Sequence, residues 1–237
     1  TLVLICCALF AIVPDKFFSY DNIMNILRRS SVNGIMAVGM TAVIITAGID
    51  LSVGSMLAMS GMLGAFVMIG IGGDNPAGIS LWIGSLACLI VAAGSGFLNG
   101  ILVTKLKLAP FIVTLGTMSI FRGVAYLMNN GTPYNIQNYD YLGNGMIGPV
   151  PISVVIFAVV VAVAAYTLKY TPFGRHTYAI GSNREAAYHA GIDVDRSLIR
   201  VYTLTGLIII LACAVDQLVR TTPLAWAPYA RGGDEGR

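Results

Sequence analysis

The side chains of this chain that could do chemistry are few and unevenly placed. Residues 170–198 hold both histidines, His176 and His189, with Arg175, Arg184, Glu185, Asp193, Asp195 and Arg196. A second, smaller group lies in the bend TAGIDLSVGS at 46–55, where Asp50 and Ser52 separate two apolar runs. Asn99 and Arg122 are lone polar residues inside further apolar runs. None of these has the form of a reaction centre, and no catalytic residue is assigned. There is no HExxH or GxSxG pattern and no paired-aspartate arrangement inside an apolar run. The absence of a GxxxxGK[ST] phosphate loop leaves any ATP hydrolysis to another chain. Cys6, Cys7, Cys88 and Cys213 sit in apolar runs without metal-ligand spacing, so they read as small buried hydrophobes and no metal site is expected. What the polar residues offer is electrostatic contact.

The surrounding chain says with what. Of its 237 residues 57% are hydrophobic and only 11% charged, too few to coat a water-facing globule that ordinarily carries about 25%. Seven apolar segments stand out, about 1–13, 33–49, 53–71, 81–103, 111–128, 152–169 and 198–215. Most reach or approach the roughly 20 residues that cross a bilayer as helix. The fold class that follows is all-α, a polytopic transmembrane helical bundle. No Lys/Arg block has the form of a nucleic-acid footprint.

Cytoplasmic loops accumulate Lys and Arg. Lys105 and Lys107 mark one such loop, and Lys169, Arg175, Arg184, Arg196 and Arg200 mark another, two spans further on. Residues 129–151 between those spans contain no Lys or Arg and belong outside. Counting back puts 72–80 outside and Asp50 near the inside. Arg28 and Arg29 then run against the bias, which an interfacial helix starting at Tyr20, capped by Asp21 or Asn22, would accommodate. Small residues at helical spacing, Gly96 with Gly100, Gly54 with Ala58 and Gly61 with Gly64, mark where membrane helices should touch.

Against this frame the island at 171–197 is a cytoplasmic segment suited to docking a soluble motor subunit, although its composition also fits an ordinary solvated loop. Ser182 with Glu185 three residues later fits a capping box, and Gly191 suits a helix stop, which predicts a short helix over 183–190. A helix so short holds in water only if it packs on something. Asp193 or Asp195 can cap the next membrane helix, which should begin near Ser197. In the bend, an acid near the membrane is costly unless it faces a cavity, a partner or water, so Asp50 is a functional candidate. Asp50 or Ser52 could equally be the N-cap of the third span. Arg122 could snorkel outward or pair within the bundle, and Asn99 could hydrogen-bond across helices. Asn129, Asn130, Tyr134, Asn135, Gln137, Asn138, Tyr139 and Tyr141 give the outer loop the composition of a contact surface or of a solvated loop.

Several blocks in order carry a resemblance. SVNGIMAVGMT at 31–41, GIDLSVGS at 48–55, PFIVTLGT at 110–117 with Arg122-Gly123, GTP at 131–133, TPFGR at 171–175, AIGSN at 179–183, Ala186-Ala187 and AGI at 190–192 are similar to the permease subunits of bacterial ribose-type sugar ABC importers. The resemblance runs from about residue 1 to about 211, so that 1–215 reads as a transmembrane permease domain of the ABC importer type and 216–237 as an atypical polar tail, truncated or altered relative to the family. It implies a subunit of the inner membrane that is no enzyme itself and binds no cofactor. ATP would be used by an ABC ATPase partner, sugar delivered by a periplasmic binding protein, and the pore completed by a second permease copy, identical or different. It also implies that 181–192 contacts the ATPase, through Gly181, Ser182, Asn183, Glu185, Ala186, Ala187 and Gly191, and that Asp50, Ser52, Asn99 and Arg122 line the translocation path. Two rivals remain at this stage. One is an ion-coupled secondary transporter with Asp50 carrying the ion, for which no second copy of the Asp50 bend exists as an inverted repeat would require. The other is a permease fragment without transport activity.

Overall fold

The computed structural model describes residues 19–73, 76–132, 134, 146–148 and 150–220. Eight helices fill almost all of these: α1 (Tyr20–Ile45), α2 (Val53–Gly72), α3 (Ile79–Lys105), α4 (Pro110–Met128), α5 (Ile152–Tyr170), α6 (Pro172–Ser182), α7 (Arg184–His189) and α8 (Val194–Arg220). A two-stranded antiparallel hairpin, β1 (Met146–Ile147) and β2 (Val150–Pro151), leads into α5, with Met146 opposite Pro151. The segment expected at 1–13, with Cys6 and Cys7, lies outside the described residues. So do most of the outer loop and residues 221–237 of the expected tail, while 216–220 continue α8.

Each helix boundary has a local cause. The Ser19 hydroxyl accepts from the Asn22 N–H at 3.4 Å, so α1 is capped by Ser19 rather than by Asp21 or Asn22. As expected, α1 then runs from Tyr20 past Arg28 and Arg29 into the second apolar segment without a break. At its far end the Ala47 N–H donates to the Ile44 carbonyl at 2.9 Å and the Gly48 N–H to the Val43 carbonyl at 3.1 Å, the paired bonds of a Schellman ending. The left-handed residue of that ending is Ala47, with φ 58°. Gly48 is there for room, because a Cβ at that position would lie 3.0 Å from the Tyr202 Oη. Proline opens α4 and α6 at the first helical turn, where its missing N–H costs nothing.

Four helices, α2, α3, α4 and α5, are long and apolar enough to cross a membrane. They differ in setting. About 44% of the α2 window is buried within the protein but only 11% of the α5 window, so α5 is the peripheral helix. α8 sits among α3, α1 and α2, with Val201, Tyr202, Ile209 and Ala212 fully enclosed. It reaches them closely. A Cβ at Gly96 would run into the Tyr202 carbonyl, and one at Gly100 would fall 2.9 Å from the Ile199 Cα. A Cβ at Gly206 of α8 would strike the Ala92 carbonyl in turn. The Thr205 hydroxyl donates to the Gly39 carbonyl of α1 at 3.1 Å. Small residues thus allow the backbones to touch, as the Gly96–Gly100 spacing predicts. Gly64 likewise meets Cys88 and Gly84 of α3. Gly54 and Ala58 do not behave as expected: both are exposed and Gly54 has no neighbour within 4 Å of its Cβ position. α2 packs instead through Met56, Met59, Ser60 and Ala65, one step round the helix.

Many serine and threonine hydroxyls on the helices are satisfied within their own helix. Ser31, Ser95, Thr104, Thr117, Thr167 and Thr203 each donate to the carbonyl four residues back, at 2.7–3.1 Å. This removes the cost of a bare polar group in an apolar medium.

The two ends of the bundle separate as the charge pattern predicts. The Lys105 Nζ lies 3.1 Å from the Asp195 Oδ2, joining the 105–107 connection to the start of α8. At the other end the Tyr134 ring packs 6.5 Å from that of Phe66, beside Ala65 and Met68 near the far end of α2.

Candidate functional site

Two groups of polar residues face each other across one backbone contact at the Lys105 end. The first is the turn at 46–52. Asp50 is 1% exposed and Ser52 is fully buried. The Asp50 Oδ1 accepts the Ser52 N–H at 2.9 Å and the Ser52 hydroxyl at 2.6 Å, folding the chain sharply into α2. Ser52 occupies the N-cap position but makes no side-chain cap bond, so neither residue is a conventional cap and the carboxylate shapes the turn instead. The Asn99 Nδ2 donates to the Ser52 Oγ at 2.8 Å from α3, and the Thr114 hydroxyl of α4 donates to the Ile49 carbonyl at 3.2 Å. Tyr202, 1% exposed, brings its hydroxyl against Gly48 from α8.

This cluster is incompletely paired. The Asp50 Oδ2, the Asn99 Oδ1 and the Tyr202 Oη have no hydrogen-bond partner among the described residues. Burial pushes the Asp50 carboxyl above the usual carboxylate range, against the opposing pull of the Ser52 and Asn99 hydrogen bonds. A buried polar atom without a partner costs about 1–3 kcal/mol, so each of these three atoms calls for one. Three of the four residues expected along a path, Asp50, Ser52 and Asn99, are therefore brought together. Arg122 is not among them: it is exposed on α4, away from the cluster, and neither ion pair of the described residues involves it. Tyr202 is a member the sequence reading missed, since a tyrosine within an apolar segment carries no signal of its own.

The second group is the island. It forms a helix–turn–helix of α6 and α7 in which both helices are short. The expected helix over 183–190 is present as Arg184–His189, but the capping box is not. Ser182 is the last residue of α6, and Asn183 takes the cap, its Oδ1 accepting the Ala186 N–H at 2.9 Å. Both residues are good caps, and the preceding helix has already used the first. Gly191 closes the unit with φ 83°, the stop expected of it. α8 then begins at Val194 rather than near Ser197. Asp193 caps it, accepting the Arg196 N–H at 3.0 Å, which leaves Asp195 for Lys105. Ala187, 4% exposed, packs with Ile180, Val194 and Leu198, which gives so short a helix its support. Arg184, Glu185, Ala186, Tyr188 and His189 face outward.

The groups meet at Gly181. A Cβ there would run into the Ile45 carbonyl, so α6 rests on the last turn of α1, directly before the Thr46–Asp50 bend. No group of three or more potential metal ligands occurs among the described residues.

Comparisons with known proteins agree with this architecture. The family described as branched-chain amino acid transport system / permease component matches residues 22–215. The ribose import permease protein RbsC of Haemophilus influenzae is 37% identical over 230 residues, 94% of this chain and 69% of that protein. RbsC of Escherichia coli (strain K12) is 38% identical over 234 residues, 95% of this chain and 71% of that protein. The D-allose transport system permease protein AlsC of the same strain is 35% identical over 220 residues, covering 90% and 64%. No solved structure matches.

Proposed function

The chain belongs to the family of transport-system permease components, and on that premise we propose that it is the membrane-spanning subunit of an ATP-driven monosaccharide importer in a bacterial inner membrane. The similar proteins named for ribose and allose favour a monosaccharide over an amino acid as the cargo. A periplasmic binding protein delivers the sugar, a separate ATPase subunit supplies the energy, and a second permease copy completes the pathway.

One observation carries the coupling mechanism: the seating of Gly181 on the Ile45 carbonyl. The outward face of α7, with Arg184, Glu185 and Ala186, is where the ATPase docks. When ATP draws the two ATPase subunits together, α7 is displaced. α6 moves with it, because Ile180, Ala187, Val194 and Leu198 form one cluster. Through Gly181 the displacement reaches the end of α1 and the Asp50 turn, and through Val194 and Leu198 it reaches α8, which carries Tyr202 to the same turn. Asp50, Ser52 and Asn99 then act as the joint between helices flanking the sugar path. Arg122, alone on the outer face of α4, has no part in that joint.

The test is Ala186→Arg. Ala186 is exposed on α7, so the variant folds and should lose ATPase co-purification in detergent together with labelled-sugar uptake in vesicles. Undiminished co-purification removes the docking role. Uptake that survives ATP depletion but collapses with an uncoupler would replace the whole reading by an ion-coupled one.

A further inference from the structure

The junction of α5 and α6 forms an open cavity of about 630 Å³ that the transport mechanism does not use. Ala165, Leu168, Lys169, Arg175 and Tyr178 line it. Its shape follows from the sequence. Thr171 is extended, Pro172 starts α6 at once, and Gly174 lies so close to the Leu168 carbonyl that no Cβ fits. α6 therefore doubles back on the end of α5, and Arg175 comes round to face the same cavity as Lys169.

Both cations are exposed, and neither forms an ion pair among the described residues, whose two pairs are Lys105–Asp195 and Asp193–Arg196. The Lys169 ammonium instead lies 5.3 Å from the Tyr170 ring centre. The cavity is two-natured: the cationic side chains of Lys169 and Arg175 line it together with the aliphatic carbons of Ala165 and Leu168 and the Tyr178 ring. It opens onto the helix with the least protein around it, where Val159, Val163 and Tyr166 are 56–63% exposed. A ligand that fits carries a phosphate at one end and hydrocarbon at the other.

We propose that the α5–α6 elbow is a binding site for an anionic phospholipid, with Lys169 and Arg175 holding the headgroup phosphate and the Val159–Tyr166 face of α5 receiving the acyl chains. Arginine offers the phosphate a bidentate fork and lysine a point charge. Tyr166, Tyr170 and Tyr178, all more than half exposed, stand at the level where aromatic rings anchor a helix to the membrane boundary. The site is independent of which solute is carried.

The experiment is native mass spectrometry of the full chain released from bilayers of equal phosphatidylglycerol and phosphatidylcholine. The wild-type chain should retain phosphatidylglycerol selectively. Each of Lys169→Gln and Arg175→Gln should weaken that retention about fivefold and the pair roughly 25-fold, since a basic residue near an anionic membrane surface contributes about a kilocalorie per mole. Lys105→Gln, which removes a basic residue already engaged with Asp195, should leave retention unchanged. Lys169→Arg with Arg175→Lys keeps the charge and should keep the lipid, which separates loss of the site from loss of the fold. Equal retention of the two lipids overturns the proposal. Displacement by millimolar inorganic phosphate overturns it in favour of a free-anion site. Loss of ATPase co-purification in Arg175→Gln, with lipid retention intact, overturns it in favour of a protein contact.

Discussion

In the turn at 46–52 the polar side chains fold inward. Asp50, Ser52 and Thr46 are at most 2% exposed, and Asn99 and Tyr202 come in from other helices to meet them. In α7 the arrangement is reversed, with Ala187 turned inward and Arg184, Glu185 and His189 outward. The inner site buries its polar atoms between helices, while the outer one presents them at the surface. The contact between Gly181 and the Ile45 carbonyl joins the two regions. In the proposed mechanism the difference matters: an outward surface can be touched by a partner, and a buried turn in contact with it can receive the displacement.

The sharpest way to break that comparison is to part the two sites while leaving each intact. Gly181→Val places side-chain atoms against a backbone carbonyl, which no rotamer can relieve. Overpacking of this kind costs about 1–3 kcal/mol. The expected outcome is complete loss of sugar uptake with ATPase co-purification retained, and undiminished uptake would show that the sites work separately. Asn99→Leu strikes only the inner site, removing the donor to Ser52. It should lower stability in detergent melting by about 1–2 kcal/mol, with ATPase binding unchanged. Asn183→Ala strikes only the outer site. The lost cap costs about 1 kcal/mol, to be seen as faster hydrogen exchange at the amides of α7 and weaker ATPase binding, with the melting of the bundle unmoved. The smallest effect is a gain. Ala47→Gly relieves a left-handed alanine, offset in part by the greater freedom of glycine when unfolded, for a net rise of about 0.5–1 kcal/mol. If that variant also slows uptake, the strain at Ala47 belongs to the mechanism.

The two regions also differ in how far the sequence discloses them. α7 is legible because its signals are local: a cap residue, a run of helix formers and a glycine stop within ten positions. Even so its start slips by one, because Ser182 and Asn183 compete and α6 claims the serine. α6 itself escapes notice, as its buried face consists of Gly174, Thr177 and Ile180, only the last of them strongly apolar. Thr171 followed by Pro172 is the signal that marks its start. The inner cluster is only partly legible. Asp50 announces itself as an acid among apolar residues, yet the bond between Ser52 and Asn99 that ties it to α3 spans 47 positions, and Tyr202 lies still further away. Such convergence is set by the packing of glycines in α3 and α8, which periodicity hints at without giving a register. Arg122 is the opposite case, a conspicuous charge that stands exposed on α4, outside the cluster.

The hydroxyls bonded to their own helices carry a consequence for how the chain enters a membrane. Transfer scales price serine and threonine as though water had to be stripped from each. In α1 and α8, where Ser31, Thr41 and Thr203 already hold a carbonyl four residues back, that stripping is done before lipid is met. These two helices are more lipophilic than their letters indicate, and insertion machinery sampling them as formed helices would admit segments that a hydropathy window passes over.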